Sequence, residues 1–157
     1  MLTKPDAGWT FFQPTDNISY RLSYLTDVAN NWLIQAIHGL KTMEVFSVHG
    51  FSEPGRMICT VSYWSCYAIF ESEEPEPICD SVDHIHIKFC QKLHEDISNC
   101  LEDWVHWDDD GILELYGTET QEEAFQTRRN ELLEKLDELA VLIEENREDF
   151  EAGAYFL

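Results

Sequence analysis

Along this chain the apolar positions change period several times, and each change marks a different element. Residues 11–24 contain β-favouring runs, notably Ile18-Ser19-Tyr20-Arg21-Leu22. Thr26-Asp27 then looks like a helix start. Val28, Trp32, Ala36, Ile37 and Leu40 follow at three- and four-residue steps, so a helix with one apolar face is predicted. Gly39 weakens the end of that helix, and Lys41 suits its last turn, where a cation meets the negative pole of the helix dipole.

The next segments predict a central hairpin over about residues 43–70. Met43–Val48 partly alternates, Phe51-Ser52-Glu53-Pro54-Gly55 supplies turn residues, and Met57–Phe70 is one long run rich in β-branched and aromatic side chains. Glu71-Ser72-Glu73-Glu74-Pro75-Glu76-Pro77 follows as a charged connector stiffened by two prolines. Asp80 or Ser81 can cap the next helix, whose stripe is Val82, Ile85, Phe89, Leu93, Ile97, Leu101 and Trp104. A strand over Ile85–Phe89 ahead of a shorter helix fits the same residues, because Ile85, Ile87 and Phe89 also alternate. Asp108-Asp109-Asp110-Gly111 breaks the pattern, and Ile112, Leu113, Leu115 and Tyr116 suit a short strand. Thr120 with Glu123 three residues on has the capping-box pattern. The helix it opens runs to about Phe150, with Phe125, Leu132, Leu136, Leu139 and Ile143 on one side. The expected fold is α+β: a mostly antiparallel sheet packed by three helices, the last one long, in a single domain spanning residues 1–157.

Composition bounds this picture. With 44% hydrophobic and 13% aromatic residues the chain is no disordered acidic tail. Its longest apolar stretches, such as Trp32-Leu33-Ile34, are far short of the ~20 residues of a membrane span. The start, Met1-Leu2-Thr3-Lys4-Pro5-Asp6, does not read as a signal peptide, so a cytoplasmic setting is expected. Five cysteines, at 59, 66, 79, 90 and 100, are odd in number and lack C-x-x-C spacing, which suits free buried thiols.

Charge changes the picture most. The chain carries 31 acids against 10 bases, a net −21, and the excess is uneven. Met1–Phe70 holds five acids and four bases, whereas Glu71–Leu157 holds 26 acids and six bases. The first seventy residues therefore read as scaffold and the remainder as a working face. Such a field repels nucleic acid and anionic membrane and attracts a basic partner. The prominent acids are Glu71, Glu73, Glu74 and Glu76 in the connector, and Glu102, Asp103, Asp108, Asp109 and Asp110 farther on. In the last helix Glu144 and Glu148, and Glu145 and Asp149, stand four apart, at about 0.2–0.5 kcal/mol of repulsion per pair. Arg128 and Arg129 lie early in that helix, where acids suit the dipole better, so the charges read as arranged against local stability. Trp104, Trp107 and Tyr116 are the aromatic anchors such an interface favours.

Other chemistry finds less support. His86, Cys90 and His94, with His84 nearby, offer zinc-ligand types on one helical side, but compact zinc sites draw ligands from two elements. Asp108-Asp109-Asp110-Gly111 with Glu114 and Glu119 has calcium-loop acidity, yet glycine falls at the fourth position instead of the sixth, and Ile112 and Tyr116 occupy ligand positions. Cys66, between aromatics and without a basic neighbour, reads as packed. No nucleophile elbow, phosphate loop or H-E-x-x-H motif is present, so no enzyme and no cofactor are expected.

The segment Arg21-Leu22-Ser23-Tyr24-Leu25-Thr26-Asp27-Val28 through Trp32-Leu33, then Gly39-Leu40 and the strands to Phe70, resembles the start of bacterial immunity proteins that accompany polymorphic toxins. Asp96-Ile97-Ser98 to Trp104-Val105-His106-Trp107 resembles a later helix end in them. The resemblance implies a cytoplasmic, non-enzymatic inhibitor of a cognate toxin, often a basic nuclease, and assigns no individual residue. The alternatives are a phage- or plasmid-encoded nucleic-acid mimic that blocks a host nuclease or restriction complex, and a metal-dependent enzyme using His86, Cys90 and His94.

Overall fold

A computed structural model describes residues 1–82 and 85–151, with side chains through Glu148. The fold is α+β, with two antiparallel sheets and five helices among these residues. Strands β1 (Trp9–Thr15) and β2 (Ile18–Ser23) form the small sheet. Helix α1 (Val28–Thr42) follows, capped where expected: the Asp27 carboxylate accepts the Asn30 N–H at 3.3 Å. Gly39 lies inside this helix, and its bare Cα lets the Phe46 ring press against α1; a Cβ there would stand 2.9 Å from Phe46 Cε1.

The larger sheet is a meander of β3 (Phe46–Phe51), β4 (Arg56–Val61), β5 (Cys66–Glu71) and β6 (Ile78–Val82). The expected hairpin is present, but its second arm is two strands. Ser62-Tyr63-Trp64-Ser65 turns the long β-rich run back on itself, with the Ser62 N–H and Oγ both donating to the Ser65 carbonyl. The register Val48–Cys59–Ala68–Asp80 marks the inward face. On the edge strand Asp80 accepts the Tyr20 hydroxyl, so this inward carboxylate is satisfied.

Two further expectations fail at the acidic breaks. Asp80 and Ser81 belong to β6 and cap nothing; the helix starts later, as α2 (His86–Asn99), and Val82 and Ile85 are not part of it. Residues 78–82 are held instead as the antiparallel edge strand on β5, and the helix begins only after that pairing ends. The stripe resumes with Phe89, Leu93 and Ile97 buried, then continues in the short α3 (Leu101–Val105) with Trp104. Ile112–Tyr116 forms a helix, α4, instead of a strand, and packs on α5. Helix α5 (Gln121–Glu151) is the expected long one. Its N-cap is Thr120, whose Oγ1 accepts the Glu123 N–H at 3.2 Å.

One continuous core joins the parts. Phe12, Trp32, Phe46 and Phe89 meet at ring distances of 5.2–6.3 Å between the inner sheet face, β1–β2, α1 and α2. Leu132, Leu136 and Leu139 of α5 close it, and among the described residues the core ends at Ile143. No helix is long and apolar enough to cross a membrane among the described residues.

Candidate functional site

The acids Asp108, Asp109 and Asp110 occupy the turn between α3 and α4. Asp108 holds that turn through its Oδ1, which accepts the Gly111 N–H at 3.1 Å. Asp109 faces His106 Nδ1 at 2.9 Å, and Asp110 is exposed. Beside them runs an open cleft. One part, about 520 Å³, is walled by Tyr24, Leu25, Trp107, Ile112 and Leu115, with Asp108 and Glu114 also lining it. The adjoining part, about 470 Å³, lies between Ala7-Gly8, Tyr24 and the three aspartates. Asp6 lines a third recess next to Asp103 and Asp109.

The floor of the cleft is a buried ion pair. Arg128 donates to Asp27 through Nη1 at 2.5 Å and Nη2 at 2.8 Å, and its Nε–H donates to the Trp104 carbonyl at 3.0 Å. Burial alone would lower the arginine's affinity for its proton, but the paired carboxylate more than offsets this and raises it. This fork ties the start of α1, the end of α3 and α5 together, with Asp27 serving as both N-cap and counter-ion.

The predicted anchors are corrected by their burial. Trp104 is 0% exposed and Trp107 2%, so neither projects from the surface as an anchor, and Trp107 only lines the cleft wall. Trp107 donates its indole N–H to the Thr26 carbonyl at 2.9 Å, and the two indoles pack 5.2 Å apart. Both continue the apolar stripe of α2 into the core. Tyr116 is half-buried; its hydroxyl donates to Glu131 at 2.8 Å, and burial followed by that bond pushes it up to about 12. The exposed apolar side chains beside the acids are Tyr24 at 47%, Leu25 at 55% and Leu115 at 63%. Their signal in the sequence was an apolar pair placed between a strand and an N-cap, and a leucine off the buried face of a short helix.

The other predicted acids divide into paired and unpaired. Glu71 closes β5 and pairs with Arg56 at 2.6 Å. Glu102 pairs with Arg129, and Asp103 with Lys4 at 3.1 Å. Glu73, Glu74 and Glu76 are exposed, with no ion pair among the described residues. Among the described residues no hydrogen bond, ion pair or cavity links this connector to the Glu102–Asp110 region, so the two are separate acidic areas.

The cleft also draws on Ala7, Gly8, Tyr24, Leu25 and Asp27, so the division into an N-terminal scaffold and a C-terminal working face does not hold. Nor are Arg128 and Arg129 set against stability. The first turn of α5 carries Glu122 and Glu123, which suit the dipole, and both arginines are fixed by tertiary partners. What remains unfavourable is the acidic far end, Glu144, Glu145 and Glu148, relieved by one Arg147–Glu144 pair; the Asp149 side chain lies outside the described residues.

Cys59, Cys66, Cys90 and His86 read as packing. All five cysteines are free, and Cys59, Cys66 and Cys90 are buried; Cys79 is exposed on β6 and Cys100 half-buried, contrary to expectation. Burial pushes the Cys66 thiol up to about 11 and those of Cys59 and Cys90 higher still. His86 stacks on Tyr63 and meets the edge of Phe46, both at 5.2 Å, and burial lowers its basicity. His84 lies outside the described residues, and among those described no three His, Cys, Asp or Glu side chains are grouped to hold a metal ion.

No protein-family model matches the sequence, and neither a curated protein nor a solved structure matches it.

Proposed function

We propose that this protein is an immunity protein: it binds and neutralises a basic toxin, a nuclease-type effector, in the cytoplasm, without catalysing a reaction. The observation that carries the reading is the cleft, where Asp108 and Glu114 line the same walls as exposed Tyr24, Leu25 and Leu115, and Asp109 and Asp110 line the adjoining part beside Tyr24. Apolar anchors ringed by charge are what a protein interface needs, since the apolar contact supplies affinity and the charge supplies steering. A purely solvated acidic face has no use for three large exposed apolar side chains in its midst.

The intramolecular charge balance supports the same reading. Among the described residues, seven of the ten lysines and arginines are already in ion pairs with carboxylates of this chain. The acids around the cleft are left with little to neutralise them except an incoming cation. The test is co-expression with the product of the gene adjacent to its own. Rescue of cell growth together with an isolable complex is expected. A harmless neighbour that forms no complex would overturn the reading.

A further inference from the structure

We infer that the cleft between Tyr24-Leu25 and helix α4 receives an arginine side chain of the basic partner. The inference rests on the proposed binding function and specifies what enters the site. The walls are apolar where a side-chain stem would lie: Leu25, Leu115, Ile112 and the indole of Trp107. Three methylenes packed there are removed from water while the charged head stays near the rim. The carboxylates at that rim are Asp108 and Glu114. Asp108 uses Oδ1 on the Gly111 N–H, and neither residue has an ion pair among the described residues.

The floor decides against other occupants. Three of the five N–H donors of Arg128 are engaged by Asp27 and the Trp104 carbonyl, and Asp27 matches its charge. An anionic ligand finds only acids at the entrance. A cation driven to the floor would meet a guanidinium, so the incoming charge rests at the rim. Arginine suits this geometry better than lysine: its planar head stacks on the exposed Tyr24 ring, reaches two carboxylates at once and is less strongly hydrated. A volume near 520 Å³ accommodates such a side chain with room for its backbone at the mouth.

The test uses the full-length ¹⁵N-labelled protein and three blocked tripeptides, acetyl-Gly-Xaa-Gly-amide, with arginine, lysine or citrulline at the centre. Saturable amide shifts are expected at residues 24–25 and 108–115, with the arginine peptide about fivefold tighter than citrulline, an order of magnitude set by one cation–π and charge contact. Leu25→Ser with Leu115→Ser, both at exposed positions, should weaken the arginine peptide by a similar factor while leaving the remaining spectrum unchanged. Equal responses to arginine and lysine would remove the choice of arginine. Shifts confined to residues 71–76 or α5, untouched by the leucine changes, would overturn the cleft while a basic partner stands. Citrulline binding as well as arginine, or no shift from any peptide, would also overturn it; citrulline equivalence would count against charge recognition as well.

Discussion

Replacing Arg128 by methionine keeps the side-chain length and helix propensity of α5 but removes the guanidinium that closes the cleft floor. Breaking a buried pair by deleting one partner costs about 3–5 kcal/mol, because the surviving charge stays desolvated. Asp27 is partly exposed and keeps its N-cap bond to Asn30, which places this term at the lower end. The buried Trp104 carbonyl also loses its donor, worth about 1 kcal/mol. A loss of about 3–4 kcal/mol is therefore expected, a large share of the 5–15 kcal/mol that holds typical domains. At this chain length the Tm falls by roughly 6–16 °C. Urea denaturation of Arg128→Met, Asp27→Asn and the double variant measures both the loss and the coupling. The double variant should cost clearly less than the two single losses combined, because neutralising Asp27 removes the stranded charge. A loss below about 1 kcal/mol for Arg128→Met, or strict additivity, would refute the view that this pair is a buried tie between α1, α3 and α5.

Other consequences follow from particular contacts. Gly39→Ala should destabilise by about 1–3 kcal/mol although alanine is the better helix former, because its methyl collides with Phe46; urea midpoints report it, and Phe46→Leu should relieve it. His86 is buried with its basicity lowered, so the unfolded chain takes its proton more readily, and stability falls as pH drops below the ordinary histidine range. His86→Phe, which keeps the ring packing, should gain on the natural protein by up to about 1.4 kcal/mol per pH unit below about 6.5. In the native state a thiol reagent should modify Cys79 rapidly and Cys59, Cys66 and Cys90 only on unfolding; rapid native reaction at Cys66 would contradict its burial.

Period and capping were legible in the sequence wherever one element carried a complete local signal. Asp27 and Thr120 cap α1 and α5 as read, and Phe89, Leu93, Ile97 and Trp104 of the stripe are buried, with Leu101 half-buried. Two errors share one cause. Ile78–Val82 and Ile112–Tyr116 are five residues each, too short for period to decide between strand and helix; tertiary context decides, with the first paired to β5 and the second packed on α5. The cleft was half legible. The aspartates stood out as charge, but Trp104 and Trp107 looked like anchors because apolar composition does not say which face of a turn is inward. Tyr24, Leu25 and Leu115 gained meaning only when tertiary packing brought the segment between β2 and α1 beside α4. The role of Arg128 is likewise invisible locally, since its partner lies 101 residues away.

The central claim is that unneutralised acids around the cleft capture a basic protein. The most direct measurement is the association rate of the full-length protein with the adjacent gene product between about 50 and 500 mM salt. A fall of at least about tenfold is expected, and Asp108→Asn with Asp109→Asn and Asp110→Asn should flatten that dependence without altering the fold. A tight complex whose rate ignores salt, or a triple variant that associates as fast as the natural protein, would contradict the account.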